Sequence, residues 1–274
     1  MSRDWSRYWH SGDRPLEAMH AHFERHVYHR HSHESYSFGV TESGAQSFTC
    51  RGGAHTSASG MVMAFNPDDP HDGHATDGLG FTYRMVHIGP GLVRDVLSDR
   101  DGRPAALPLF AEPVIDDPVA AWHVHALHRA LLGGAPALRR DELLAATVAC
   151  LTRRATRSRS DRTTAPDSAV AALARDVIHG AYLEDITADD LAAATGRTRY
   201  AVYRAFRASY GMAPSDYQRQ LRLRAARGLI AAGEPLSDVA ARTGFADQSH
   251  LTRWFTRYYG VTPGDYRLAL LRTG

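Results

Sequence analysis

Ser237-Asp-Val-Ala-Ala-Arg-Thr-Gly244 followed by Phe245-Ala-Asp247-Gln-Ser-His-Leu-Thr-Arg-Trp-Phe-Thr-Arg-Tyr-Tyr259 holds two short helical patterns divided by a single glycine. Ser237 is read as the cap of the first, with Asp238 in its opening turn, and Asp247 as the cap of the second. Gly244 permits the left-handed backbone that a tight turn between them needs. Leu251, Trp254 and Phe255 share one face of the second helix. Gln248, Ser249, His250 and Arg253 are left near its N-terminal end, where a helix entering a major groove presents side chains to base edges. Helix, glycine turn, helix is the helix-turn-helix unit.

The unit occurs twice. Leu191-Ala-Ala-Ala-Thr-Gly196 aligns with Val239-Ala-Ala-Arg-Thr-Gly244, and Phe206, Gly211, Pro214 and Tyr217 with Phe255, Gly260, Pro263 and Tyr266. Two copies at one period make a paired module, too few for a solenoid. In the first copy Thr187 is the expected cap and Gly196 the turn. Tyr200, Tyr203 and Phe206 are expected inside, with Arg199, Ala201, Val202 and Arg204 outside. The candidate DNA contacts are therefore Arg199, Tyr200, Arg204 and Arg207, with Gln248, Ser249, His250 and Arg253. A merely solvated polar face is the alternative for one copy, and the repeat argues against it. Between the copies Pro214 opens a long amphipathic helix with Tyr217, Leu221, Ala225 and Leu229 as its apolar stripe, running to about Gly233.

Composition is consistent with this. The 274-residue chain has a net charge of only +2, but residues 167–274 carry 14 arginines against 11 carboxylates, and no lysine occurs anywhere. So modest a charge fits poorly with an architectural protein that binds DNA by phosphate neutralisation alone. No run reaches the roughly 20 apolar residues of a membrane helix, and the opening residues lack a signal-peptide core, so a cytoplasmic protein without membrane contact is expected. Cys50 and Cys150 have no zinc or disulfide spacing. No GxSxG, P-loop, dinucleotide fingerprint or HExxH is present.

Residues 153–168 are rich in Arg, Ser and Thr and read as a linker, with DNA phosphate contact as the alternative. Before it, Val119, Val124, Leu127 and Leu131, then Leu138, Leu144, Val148 and Leu151, recur at helical spacing and predict a helical hairpin. Earlier, Tyr36–Thr41, Ser47–Cys50, Met61–Phe65 and Phe81–Ile88 are short β-rich runs between turn residues, predicting a small barrel or sandwich. Trp5, Tyr8 and Trp9 either form an arm over a pocket or anchor on its exterior.

Leu191-Ala, Tyr203-Arg-Ala-Phe206, Gly211-Met-Ala-Pro214, Tyr217, Arg222-Leu-Arg-Ala-Ala-Arg227, Val239-Ala, Gly244-Phe245, Asp247-Gln-Ser-His-Leu251, Arg253-Trp-Phe255, Gly260-Val-Thr-Pro263 and Tyr266-Arg267 together resemble the AraC/XylS family of bacterial transcription regulators. The N-terminal part is similar, more loosely, to that family's cupin-like sensor domain, through His31-Ser-His33, Gly60-Met-Val-Met-Ala-Phe65 and Asn66-Pro-Asp-Asp-Pro-His71. The resemblance implies a sequence-specific regulator of promoter DNA, an activator more than a repressor. A small effector would be held in the barrel, a hairpin would form a homodimer, and RNA polymerase would be a partner.

The expected fold is thus α+β in two domains. Residues 1–110 form a cupin-like β-barrel, 111–152 a dimerisation hairpin, 153–168 a linker and 169–274 an all-α domain with helix-turn-helix units at about 187–209 and 237–259. His31, His33, Tyr36, His71 and Arg84 are the candidate effector residues; for Arg84 a surface or salt-bridged role stands equally open. His29, His31 and His33 alternate along one expected strand face, which His71, His74 and His87 could join. Three readings remain: pocket lining, satisfied structural histidines, or a divalent metal on His31, His33 and His71. The metal reading lacks the carboxylate of cupin enzymes, since Glu34 faces away and Asp68, Asp69 and Asp72 sit on a turn. No cofactor is required by the main reading. The rival function is a cupin-type metal enzyme such as a dioxygenase, which leaves the tandem helical units without a role.

Overall fold

The computed structural model describes residues 4–153, 155 and 166–271. The chain forms two compact units, one β-rich and one helical. Most of the segment read as a linker lies outside the described residues, and its last three residues already belong to a helix.

The strands are β1 (Trp5–His10), β2 (Leu16–Phe23), β3 (Tyr28–His31), β4 (Tyr36–Cys50), β5 (Gly53–Ala58), β6 (Val62–Phe65), β7 (His71–Ala75), β8 (Phe81–Ile88) and β9 (Val114–Ile115), all in the β-rich unit except His29–His31 of β3, which group with the helical unit. The helices of the β-rich unit are α1 (Pro90–Asp101), α2 (Pro118–Leu132) and α3 (Ala137–Thr152). The strands follow the order β1-β2-β8-β4-β6-β9, with β5 and β7 also on β4 and β3 on β7. Among the described residues the expected barrel is an open sheet, because β1 and β9 end its path without pairing to each other.

Strand β4 organises the unit. The sequence reads as two runs interrupted at Glu42–Gln46, but the chain stays extended throughout. Its first half pairs with β6 and β8 and its second with β5 and β7. The register slips between Thr41 and Ser43, next to Gly44 at φ +70°. A Cβ on Gly44 would lie 2.1 Å from the Gly80 carbonyl oxygen. Only glycine fits such a bulge, where a strand must bend from one sheet into another.

Alternation along the strands separates two cores. Leu16, Ala18, Phe38, Val40, Val62, Ala64, Val86 and Ile88 pack against Val93 of α1, Val124, Leu127 and Leu131 of α2, and Leu144, Val148 and Leu151 of α3. On the opposite face Met19, Phe23, Phe48, Met63, Phe65, Phe81, Tyr83 and Met85 form the interior. Two of these thioethers flank Gly39, where a Cβ would come within 2.8 Å of both Met63 Cε and Met85 Cε. Each fully buried aliphatic chain contributes about 1.5–3 kcal/mol. Asp117 caps α2, accepting from the Val119 and Ala120 amides. Cys50 and Cys150 are both buried.

The helical unit contains α4 (Pro166–Ala181), α5 (Ala188–Thr195), α6 (Arg199–Tyr210), α7 (Pro214–Ala231), α8 (Leu236–Arg242), α9 (Gln248–Tyr259) and α10 (Pro263–Leu271) as far as Arg267. Val170, Ala174, Ile178, Leu191, Val202, Phe206, Tyr217 and Leu221 form the core of the first half. Leu223, Ala226, Ile230, Val239, Phe245, Leu251, Phe255 and Tyr266 are buried in the second. Helix α7 thus serves both halves and buries more than one stripe. Its innermost residues include Gln220, Leu223, Ala226 and Ile230, whereas Ala225 and Leu229 of the expected stripe are only half-buried.

Candidate functional site

The two glycine turns form as expected. Thr187 caps α5 in a reciprocal capping box with Asp190, and Gly196 ends that helix at φ +62°. Gly244 has φ +75°, and Asp247 caps α9 by accepting from the His250 amide at 2.6 Å. The cap of α8 differs from expectation. Pro235 occupies that position without a side-chain bond, and Ser237 lies inside the helix.

The two halves of α6 face opposite to part of the sequence reading. Val202, Ala205 and Phe206 are buried, while Tyr200 is 72% and Tyr203 42% exposed. Val202 therefore faces inward, and both tyrosines join the outer face with Arg199, Arg204 and Arg207. The burial period places residues 202, 205 and 206 together, and the aromatic character of residues 200 and 203 misled the assignment. Arg199 Nε lies 2.6 Å from Asp189 Oδ1, and Arg204 Nη2 3.9 Å from Asp167 Oδ2. Arg207 donates to the Tyr203 hydroxyl at 3.1 Å and lies over its ring. Exposed pairs of this kind hold about 0.2–1 kcal/mol each, so a phosphate or guanine edge can displace them.

On α9 Leu251, Phe255 and Tyr258 are buried, and Gln248, Ser249 and Arg253 are exposed. Trp254 is half-buried rather than inside, with the Arg219 guanidinium 3.8 Å above its ring. His250 is placed differently from the other candidates. Trp254 Nε1 donates to His250 Nε2 at 2.9 Å, and the imidazole packs edge-on against Phe245. That ring nitrogen is committed within the helix.

Sequence reasoning missed Arg222 of α7. Its Nε donates to the Tyr182 carbonyl at 2.7 Å, Nη1 to the Gly244 carbonyl at 2.8 Å and Nη2 to the Glu184 carbonyl at 2.8 Å. One guanidinium thereby ties the turn of the second unit to the loop after α4. Its only sequence signal was membership of the Arg222–Arg227 motif, which does not reveal what the side chain holds.

The five candidate effector residues are not brought together. His33 and His71 lie with His87 on the interior side, ring centroids 5.2 and 4.7 Å from His33. Tyr36 is buried on the opposite face, where its hydroxyl donates to the Pro108 carbonyl at 2.8 Å; burial pushes its pKa up to about 12. Arg84 also lies on that face and donates to Glu42 at 2.5 Å, the salt-bridged reading of this residue. Odd and even strand positions cannot line one pocket, which is why the set divides.

Around Arg84 a polar cluster closes under α2. His20 Nε2 donates to Glu42 at 2.8 Å, and His128 Nε2 to the Met19 carbonyl at 2.9 Å. Desolvation, reinforced by Arg84, pulls the His128 pKa down to about 3. The folded state then holds fewer protons than the unfolded chain below the ordinary value of 6.5. Stability is present above that pH and falls toward pH 3, at about 1.4 kcal/mol per pH unit. Urea unfolding of the native chain between about pH 6.5 and 5 is expected to show a loss of about 2 kcal/mol. In His128→Leu that slope is expected to shrink, and an unchanged slope would refute the assignment. Beside the cluster, Thr41, Glu42, Ser59, Trp122, His125 and Arg129 are among the residues lining a groove of about 850 Å³ between β4 and the α2–α3 hairpin.

Comparison with known proteins follows these divisions. Residues 15–149 match the AraC-like ligand binding domain and residues 191–269 a helix-turn-helix domain. The chain belongs to the AraC family. The transcriptional regulator YbfI of Bacillus subtilis is 27% identical over 81% of this chain and 80% of its own. The transcriptional activator RhaR of Yersinia pseudotuberculosis is 45% identical over 25% of this chain and 24% of its own. Among solved structures, ToxT from Vibrio cholerae shares the fold with a TM-score of 0.54 at 11% identity, covering 97% of this chain and 98% of ToxT. This AraC-family chain is accordingly a DNA-binding transcription regulator with a ligand-binding N-terminal domain, and the rival reading as a metal enzyme gives way. No described helix is long and apolar enough to cross a membrane.

Proposed function

We propose that this regulator grips promoter DNA with α6 and α9, and that a small effector bound to the β-rich unit controls the grip. The observation that carries the reading is the pair of capped helices, each with a buried apolar face and an exposed polar face. Arg199, Tyr200, Arg204 and Arg207 touch the duplex from α6, and Gln248, Ser249 and Arg253 from α9. His250 acts chiefly through Trp254. Footprinting on selected genomic fragments tests the reading, with protection of two half-motifs expected. Replacing Arg199 or Arg253 by Ala is expected to cost about 1–3 kcal/mol at one base position if it reads guanine, and to weaken every sequence alike if it meets phosphate. Unchanged promoter affinity in both variants would refute the contacts.

The groove beside Glu42 is the effector site this reading favours, since its volume suits a small molecule and its lining mixes apolar and charged groups. Trp122 lines that groove and is 61% exposed, and Val119 and Leu138 of the hairpin are exposed as well. This apolar face supports a homodimer formed through α2 and α3, whose geometry the effector would alter. Sedimentation of Trp122→Glu is expected to show monomers; an unchanged dimer would move the interface elsewhere. The name of RhaR favours activation, with RNA polymerase as the partner at the promoter. Its target places the protein in the cytoplasm.

A further inference from the structure

Within the helical unit, a pocket of about 200 Å³ opens among α4, α5, α6 and α7. Ile178, Ile186, Leu191 and Val202 supply apolar walls, and the exposed Arg199 and Tyr203 complete it on the outer face of α6. The pocket belongs to the first helix-turn-helix copy, and the repeat shows what makes room for it. Leu191 aligns with Val239 at an offset of 48, and Phe206 with Phe255 at an offset of 49. The same offsets pair Ala188 with Leu236 and Val202 with Leu251. Ala188 and Val202 both line the pocket, so the first copy carries the smaller side chain at each position. Leu236 is half-buried where Ala188 is exposed. Carbons that the second copy packs inward are thus absent from the first, in a protein interior that is otherwise close-packed.

The space has an apolar body and a cationic edge. An apolar cavity of about 150 Å³ accepts benzene, so one substituted aromatic ring is the size that fits here. At the edge, Arg199 Nε holds Asp189 Oδ1 at 2.6 Å, with both side chains about two-thirds exposed. A pair so open to water is held by about 0.2–1 kcal/mol, little enough for another carboxylate to take the place of Asp189. Helix α7 begins against the same space, since Pro214 and Ser215 line it and Ala213 caps the helix without a side-chain bond. The start of an 18-residue helix adds partial positive charge to that supplied by Arg199. The other carboxylates in the first turns of α5 and α7 are engaged, Asp190 in the capping box with Thr187 and Asp216 with Arg219 at 2.6 Å.

We propose that this pocket binds a small aromatic monocarboxylate, its ring among Ile178, Leu191 and Val202 and its carboxylate on Arg199, and that the bound acid competes with DNA for that guanidinium. The binding stands by itself; the competition rests on the reading that α6 touches the duplex. The site lets a small acid act on the DNA-binding unit directly, apart from the groove beside Glu42.

Fluorine NMR of 4-fluorophenylacetate added to the full chain tests the binding. Saturable line broadening with a dissociation constant of about 1 mM or below is expected. The uncharged 4-fluorophenylacetamide is expected to bind about tenfold more weakly, and Arg199→Gln to bring the acid down to the affinity of the amide. Ala188→Leu, which fills the pocket from an exposed position, is expected to abolish saturation. Broadening that stays linear up to roughly 10 mM, or a titration unchanged in Ala188→Leu, would overturn the site. The second result would place the acid elsewhere, the groove beside Glu42 included. Circular dichroism checks that Ala188→Leu folds, and if it does not, exposed Ser215→Leu fills the space from α7.

With the acid at about ten times its dissociation constant, apparent affinity for a selected genomic fragment is expected to fall about tenfold. Arg199→Gln assayed on the same fragment without the acid separates the two ways this can fail. Affinity lost in the variant but untouched by the acid would refute the competition alone, whereas affinity kept in both would refute the contact of Arg199 with DNA.

Discussion

Gly44→Ala is expected to destabilise the β-rich unit by about 3–5 kcal/mol. A side chain at φ +70° costs about 1–2 kcal/mol. The remainder comes from overlap, because the new Cβ would lie 2.1 Å from the Gly80 carbonyl oxygen, and backbone cannot swing aside as a side chain can. Gly80 is itself pinned, its own Cβ position only 2.4 Å from the Phe23 carbonyl oxygen. The bulge in β4 thus rests on a second glycine and through it on the end of β2. In a thermal scan monitored by near-ultraviolet circular dichroism, the β-rich transition is expected to fall by roughly 10 °C. A shift under about 2 °C would mean that the bend relaxes freely, and the steric account would be wrong.

Arg222→Ala is expected to cost the helical unit about 3–5 kcal/mol and to weaken binding to a complete operator far more than to an isolated half-site. Removing the guanidinium takes that donor from the Gly244 carbonyl and leaves the Tyr182 and Glu184 carbonyls with Gln218 Nε2, which also donates to both. Arg222→Lys should rescue little, because a single ammonium cannot reach three carbonyls spread around a planar fork. Equal weakening on half-site and complete operator would show that the side chain stabilises one helical half rather than coordinating both. The turn is crowded as well: a Cβ at Gly244 would sit 2.7 Å from Arg222 Cζ, so a side chain there would displace the guanidinium.

The helical unit was largely legible in the sequence because its signals are local. Thr187, Gly196, Asp247 and Gly260 act on the turn they occupy, and the repeated spacing of Phe206 and Phe255 fixes which faces are buried. The reading failed where hydrophobicity competed with period, as at Tyr200 and Tyr203, or where a helix packs on two sides, as α7 does. In the β-rich unit the central strand β8 was found because Phe81, Tyr83 and Met85 alternate with Thr82 and Arg84 before Val86 and Ile88. Strands β1 and β2 were missed, since Leu16–Phe23 interleaves His20 and His22 with its buried chains and hides a face that pairs with β8. The candidate effector set divided for a related reason. Whether Tyr36 and Arg84 share a face with His71 depends on pairing between distant strands, which one sequence does not record.

Methionines beside Gly39 give the sheet's interior a character of its own. Thioether chains have three rotatable bonds and polarisable sulfur, so they repack around a changed neighbour at small cost. The contour of that interior is consequently set by rotamers, while strand register is fixed elsewhere by hydrogen bonds and the β4 bend. Exchange of Met19, Met63 or Met85 could resize the interior in descendants of this protein without re-registering a strand, so that new chemical preferences could arise on an unchanged backbone.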